Sequence, residues 1–315
     1  MSDVECKVAI IGAGNMAKEH ARAFKDVPGV RLVGIHSRTR SKAEILAHEY
    51  NIAGVYDTIP ELYNKTQPDL VVIAVIETSM KTVCIDCLNF PWTILMEKPP
   101  GLTLNESNEI EAEVKKHQRK VLVGLNRRFL SSTRAVHTDL ATIKSPRFIY
   151  VQDQQSLAFA RSLGHSEDVI KNWMYANSIH VIDYIRFFGR GDITSIVQII
   201  PWDPETSQIV MAKITFSSGD IAIYEGIWQG PGPWAVSITT PEKRWEMRPL
   251  EQAMFQNTGE RNLHLVDVHP WDMQFKPGFR LQAEMAVAAA QNKKNDSPTI
   301  YDAMDTMRII QGIFQ

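Results

Sequence analysis

The chain falls into two halves by the way its apolar residues are spaced. Up to Leu125, short apolar runs at Val8–Ile11, Arg31–Ile35, Gly54–Tyr56, Leu70–Val75, Trp92–Met96 and Val121–Leu125 alternate with stretches whose apolar residues recur at helical spacing. Leu70–Val75 is apolar at every position, as strands buried on both faces are. Thr103-Leu104-Asn105-Glu106 has the spacing of a capping box and predicts a helix to about Lys116. Six strands alternating with helices predict a doubly wound parallel sheet over residues 1–125. Beyond Asn126 the order changes. A helix over Ser131–Thr142 leads into strands at Arg147–Val151, Ile193–Ile200, Ile209–Phe216, Ile221–Ile227, Ala235–Thr239 and Arg244–Arg248, with Ser218-Gly219 turning a hairpin. Residues 126–315 are expected to form a second α/β domain. Helices over Ser178–Phe188 and Phe279–Gln291 would cover one face of its sheet, and Tyr301–Phe314 would close the chain as a packing helix.

A length of 315 residues agrees with two domains, and 44% hydrophobic with 22% charged residues is the balance of a soluble protein. The net charge of −2, without a long basic stretch interleaved with aromatics, speaks against nucleic acid as a partner. Met1–Lys7 lacks the pattern of a signal peptide and no apolar run approaches membrane-spanning length, so a cytoplasmic location away from membranes is expected. Cys84 and Cys87 form a C-x-x-C inside a helical stretch; without further ligands at zinc spacing they read as packing thiols, and no metal is expected.

The first strand runs directly into Gly12-Ala13-Gly14-Asn15-Met16-Ala17 and then a helix with Met16, His20, Ala21 and Phe24 on one face. The first glycine permits a tight turn, the second lets backbone approach a pyrophosphate, and Ala17 stands where a third small residue packs helix on strand. Free N–H groups at the helix start suit phosphate, so Gly12, Gly14, Asn15 and Met16 are expected to bind a dinucleotide. The second strand should end in a carboxylate for an NAD ribose, but it ends in His36-Ser37-Arg38. Arg38, backed by Arg40 and Lys42, offers cations to a ribose 2′-phosphate, and Ser37 leaves room and a hydrogen bond, so NADP(H) is favoured over NAD(H). The alternative, in which Arg38–Lys42 only solvates the start of the next helix, stays open. Ala74 and Ile76, at the end of the fourth strand, should run beside the nicotinamide ribose.

After the fifth strand come Glu97-Lys98-Pro99-Pro100. The prolines forbid the strand to continue, which pins Lys98 at the carboxyl edge of the sheet, where ligands of such sheets bind.

The glycine turn, Glu97-Lys98-Pro99 and Gly124-Leu125-Asn126-Arg127-Arg128-Phe129, in this order and spacing, resemble the Gfo/Idh/MocA family of glucose-fructose oxidoreductase and inositol dehydrogenase relatives. The resemblance implies an N-terminal Rossmann domain, a C-terminal domain with a largely antiparallel sheet, and nicotinamide-dependent redox chemistry at a hydroxyl-bearing carbon of a sugar, cyclitol or sugar nucleotide. It places Glu97 and Asn126 with the cofactor and makes Lys98 and His180 the catalytic pair, with Asn177 holding the substrate hydroxyl. Arg127, Arg128 and Arg161 could each meet a carboxylate or phosphate of the substrate or equally stand in a surface pair, and both readings stay open. The family's helix pattern D-x-G-x-H-x-x-D is matched at His180 and Asp183. Ala176 replaces the first carboxylate, and Asn177 is displaced by one position. The end of the fourth strand departs too: relatives read A-T-P-x-x-x-H where this chain has Ala74-Val75-Ile76-Glu77-Thr78-Ser79-Met80.

On this reading His180 takes the hydroxyl proton while hydride leaves for the nicotinamide, and Lys98 stabilises the alkoxide. Asp183 would orient the imidazole or cap a surface face. The substrate is a small sugar-like molecule, and the open sheet face, carrying Ile221, Ile223 and Ile227, predicts a homodimer or homotetramer. The fold also resembles the yeast galactose-pathway repressor class, so a non-catalytic NADP-binding sensor is the alternative.

Overall fold

The computed structural model describes residues 5–315, and its contacts divide the chain into two compact units, Met1–Asn126 with Trp271–Met304, and Arg127–Pro270 with Asp305–Gln315. In the first unit β1 (Cys6–Ile11), β2 (Val30–His36), β3 (Val55–Tyr56), β4 (Leu70–Ile73), β5 (Thr93–Glu97) and β6 (Val121–Gly124) form one sheet in the order β3-β2-β1-β4-β5-β6, every pair parallel. The order reverses between β1 and β4, and the crevice there is the usual ligand position of a doubly wound sheet. All four residues of β4 are buried because helices lie on both faces. The strand ends at Ile73, two residues earlier than its apolar run, because Ile76 already serves as N-cap of the helix Glu77–Cys87. Thr103 caps the helix as expected, its Oγ1 accepting from the Glu106 N–H at 3.2 Å, but the return bond of the capping box is shifted by one residue: Glu106 Oε2 accepts from the Leu102 N–H at 2.9 Å and not from that of Thr103.

One expected placement is corrected. The helix Phe279–Ala290, assigned from sequence to the second sheet, packs instead on the helix Asn15–Lys25 and on β4 and β5. Phe279, Ala283, Ala286 and Val287 belong to the same buried cluster as Val8, Ile10 and Phe24. Arg280 ties this helix to the first unit by donating to Asp26 Oδ2 at 2.6 Å. A cut at residue 125 therefore marks only where the chain first leaves the first unit. An amphipathic helix announces that it needs an apolar surface without saying which one.

The second unit holds an eight-stranded sheet of β7 (Phe148–Gln154), β8 (Ile193–Ile200), β9 (Ile209–Phe216), β10 (Ile221–Ile227), β11 (Ala235–Thr239), β12 (Lys243–Met247), β13 (Ala253–Asn257) and β14 (His264–Leu265). Their order is β14-β13-β12-β11-β7-β10-β9-β8, antiparallel throughout except for the central β7–β10 pair. β13 and β14 have no apolar alternation, and they exist because β12 offers an edge to pair with, Trp245 lying opposite Phe255. The helix Ile179–Phe188 packs on β7 and β11. The opposite sheet face carries Ile221, Ile223 and Ile227, all half-buried, with Tyr150 and Lys213 flanking Ile223 in register. Phe148, Val197 and Ile209 on the same face are exposed. The closing helix is Ile300–Phe314, in which Met304, Met307 and Ile310 are buried.

Candidate functional site

In the first unit, β1 ends at Gly12, whose φ of +114° is accessible to glycine but rarely to other residues. A Cβ at this position would lie 2.0 Å from the Ala74 carbonyl oxygen, so the turn closes only without a side chain. Gly14 is different: a Cβ there would meet nothing within 4 Å, leaving open space in front of the helix Asn15–Lys25. The first turn of that helix carries no acidic residue to occupy its free N–H groups. Asn15 is exposed, Met16 half-buried and Ala17 buried on the sheet side. Space, donors and the partial positive charge of the helix start all fit a pyrophosphate. At the end of β4, Ala74 is buried against the glycine turn, while Ile76 is 54% exposed and offers an apolar surface.

At the end of β2, Ser37 is half-buried and its Oγ accepts from the Thr39 N–H at 3.3 Å. Arg38 is exposed and, among the described residues, has no ion-pair partner. The expected support from Arg40 is corrected: its guanidinium is committed to Glu44 at 3.0 Å and to Asp57.

Between Trp92 and Pro100, Lys98 is the one residue that is not buried. The strand and the following prolines hold its backbone at the carboxyl end of β5, and the residue is half-buried. Glu97, expected beside the cofactor, is turned into the domain: it is 6% exposed and its Oε1 lies 2.6 Å from His20 Nε2. Burial pushes the Glu97 carboxyl up, but the His20 hydrogen bond and the charges of His20, Lys98 and Lys276 outweigh it and hold the group below its ordinary range. Asn126, also expected at the cofactor, is buried and donates through Nδ2 to the Pro277 carbonyl at 3.0 Å.

In the second unit, Met174–Ser178 is a π-helical turn leading into the helix Ile179–Phe188. Such turns carry one extra residue and frequently mark functional positions. Ala176, standing where relatives place a carboxylate, is buried, whereas Asn177 and His180 are both half-buried. The π turn thus gives Asn177, not residue 176, an outward direction. The His180 ring lies 6.1 Å from that of Trp234, whose other neighbour is the Arg127 guanidinium at 4.9 Å.

Asp183 neither orients the imidazole nor caps a surface. It receives both Arg128 Nε and Nη2 at 2.7 Å and the Thr306 hydroxyl at 2.7 Å, in a buried bidentate pair. This commits two of Arg128's donors to structure, and its expected role toward substrate gains no support from the geometry. Arg127 pairs with Glu251 at 3.0 Å, and Arg161 with Glu167 at 2.9 Å on the surface. Sequence reasoning did not single out Gln155 or Asp153, and it took His20 only as part of an apolar face. An ionisable residue within a buried helix stripe, as His20 is, demands a partner and could have been followed up. Asp153 is completely buried among uncharged donors, and burial pushes its carboxyl up to about 6.

Cys84 and Cys87 are buried free thiols, and burial pushes that of Cys84 up to about 12, which agrees with a packing role. Among the described residues no cluster of His, Cys, Asp or Glu could hold a metal ion, and no helix is long and apolar enough to cross a membrane.

The Glu97–His20 pair makes a testable contribution to stability. A depressed carboxyl stabilises the fold above its unfolded value and loses this as pH falls through the folded one. Glu97→Gln is expected to cost about 2 kcal/mol at pH 7 and progressively less below the carboxylate range, as read from urea unfolding at both extremes. An equal cost at pH 7 and pH 3.5 would show that the charge contributes nothing.

Residues 6–125 match the family model GFO_IDH_MocA, described as an oxidoreductase family with an NAD-binding Rossmann fold. Along almost its whole length the chain is 23% identical over 315 residues to 4-carboxy-2-hydroxymuconate-6-semialdehyde dehydrogenase of Sphingobium sp., covering 96% of each chain. It is 25% identical over 196 residues to glucose-6-phosphate 3-dehydrogenase of Bacillus subtilis, covering 59% of this chain and 54% of that enzyme. The chain therefore spans only about half the length of that relative. Among solved structures, levoglucosan dehydrogenase in complex with NADH and levoglucosan superposes with a TM-score of 0.80 at 17% identity, over 98% of this chain and 96% of the other. With the parallel sheet and the glycine turn in place, residues 6–125 are similar to the NAD-binding Rossmann domain of the Gfo/Idh/MocA oxidoreductase family.

Proposed function

We propose that the protein is an NADP(H)-dependent oxidoreductase interconverting a hydroxyl-bearing carbon and a ketone on a sugar, cyclitol or sugar nucleotide. The observation that carries this reading is Lys98, the one residue of the β5 edge that is not buried, held at the carboxyl end of a sheet whose glycine turn fits a dinucleotide. The bound nicotinamide supplies a hydride acceptor and donor. The chain's own residues handle the proton and the charge. Lys98 stabilises the developing alkoxide, His180 accepts the hydroxyl proton, and Asn177 holds the hydroxyl. The glycine turn, Ala74 and the apolar side chain of Ile76 seat the cofactor. A sugar-like substrate is supported by the similarity to the glucose-6-phosphate enzyme. The outward pair Asn177 and His180 weighs against a sensor, which has no need of a proton acceptor there.

Arg38 supports NADP(H), since an exposed guanidinium stands where an NAD site places an acceptor for the ribose. The apolar open face of the second sheet supports a homodimer or homotetramer, since Phe148, Val197 and Ile209 lie exposed beside Ile221 and Ile223.

In equilibrium titrations NADPH is expected to bind more tightly than NADH, and Arg38→Asp to reverse the order; tighter NADH binding by the unaltered protein defeats this assignment. Oxidation assays on myo-inositol, glucose, glucose 6-phosphate and UDP-N-acetylglucosamine should reveal turnover. Lys98→Ala and His180→Ala should then each lower kcat about a hundred- to ten-thousand-fold with NADPH affinity nearly unchanged. Near-normal rates in both variants refute these roles, and no turnover across polyols and nucleotide sugars favours the sensor. Light scattering at micromolar concentration should give a multiple of the 35.7 kDa chain mass, and a monomer rules out the assembly.

A further inference from the structure

Over Met174–His180 only Asn177 and His180, three positions apart, escape full burial. Asn177 is held from behind by hydrogen bonds that reach back to β7. Its Nδ2 donates to Gln155 Oε1 at 2.8 Å, and the Trp173 indole N–H donates to the same oxygen at 2.7 Å. Gln155 Nε2 in turn donates to Asp153 Oδ1 at 2.6 Å, and Asp153 Oδ2 accepts from the Tyr224 hydroxyl at 2.8 Å. Gln155 is 2% exposed and Asp153 1%, so water does not substitute for these partners.

The order of donors in this chain is not reversible. An indole N–H can only donate, and a carboxylate can only accept. At pH 7 Asp153 lies above the value of about 6 to which burial pushes it and is mostly ionised. Gln155 stands between Trp173 and Asp153 and satisfies both in one orientation only, with its oxygen toward the indole and its NH2 toward the carboxylate. Asn177, meeting that oxygen, must give its NH2 inward. Its Oδ1 is then the atom turned away from Gln155, and among the described residues no hydrogen bond reaches it.

We propose that Asp153, Gln155 and Trp173 are positioning residues that lock the Asn177 carboxamide with its oxygen outward, as the acceptor for a substrate hydroxyl beside His180. The proposal rests on the oxidoreductase reading above. It accounts for the buried Ala176: a neutral amide held in one polarity offers an acceptor oxygen without bringing a second negative charge near the imidazole. It also defines a substrate requirement, a hydroxyl that donates to Asn177, so an analogue lacking that hydroxyl is a poor substrate.

Two readouts on the full-length protein test this. In 15N spectra at pH 7, the Asn177 side-chain NH2, identified by its loss in Asn177→Ser, should exchange with water at least tenfold more slowly than those of exposed asparagines. Gln155→Leu, similar in size but unable to hydrogen-bond, should remove that protection. On whichever compound of the panel above turns over fastest, Gln155→Leu should lower kcat/KM ten- to a hundredfold with NADPH affinity unchanged, and Gln155→Leu combined with Asn177→Ala should be no slower than Asn177→Ala alone. Such non-additivity marks action through Asn177, whereas general damage to the fold would add. An unprotected Asn177 in the unaltered protein, protection that survives Gln155→Leu, or additive losses would each overturn the proposal. Absence of turnover in the unaltered protein defeats the oxidoreductase reading and the substrate half of the proposal with it, while the exchange rates decide the hydrogen-bond chain on their own.

Discussion

The first unit depends on one close approach. Where β1 ends, the backbone of residue 12 presses on the Ala74 carbonyl so tightly that a methyl group would sit 2.0 Å from the oxygen. This contact brings the ends of β1 and β4 together at the point where the strand order reverses. Every other feature of the cofactor side is placed relative to it. β2, next to β1, delivers Ser37 and Arg38; β5, next to β4, delivers Lys98; and the helix that follows Gly14 opens its N–H groups into the space between. Any side chain at residue 12 would have to separate the two strands, and the positions of the remaining groups would shift with them.

Several charged residues that look available for chemistry are spent on holding the units together internally. Glu97 is turned onto His20, Asp183 receives both arms of Arg128 and the Thr306 hydroxyl, and Arg280 holds Asp26. For the pair buried on both sides, Arg128–Asp183, removing one member costs about 3–5 kcal/mol because the other charge is left without compensation. Pairing in the interior therefore takes precedence over reach toward a ligand. Outside these pairs, Lys98 and Arg38 in the first unit and Asn177 and His180 in the second keep part of their surface exposed, and the proposed chemistry rests on them.

The second unit shows how an altered motif can be compensated. The helix pattern implied by the resemblance has a carboxylate four residues ahead of the histidine, and here that position is a buried alanine. The π turn moves the next residue outward, and the hydrogen-bond chain from Asp153 settles which end of its amide is presented. Membership of a family of folds does not fix the chemistry, which lies in side chains added to the fold. On the proposed reading the acceptor oxygen is kept while its charge is not.

Strand positions, the parallel order of the first sheet and the edge position of Lys98 were legible in the residues alone. They depend on local regularities: apolar runs of strand length, glycines where backbone must turn, and prolines that end a strand. β8, β9, β10 and β11 have the boundaries expected from sequence; in β9 and β10 the reason is alternation over seven to eight residues, which records which side of a sheet is covered. Only the tertiary structure decided that Phe279–Ala290 serves the first unit, that β13 and β14 are strands, that Arg128 belongs to Asp183, and that Asn177 rather than residue 176 points outward. Each of these is settled by a partner 50 or more residues away, or by an adjacent edge or an extra residue in a helical turn. Local spacing states what a segment needs to bury or to pair, and the partner that meets the need is chosen when the chain closes on itself.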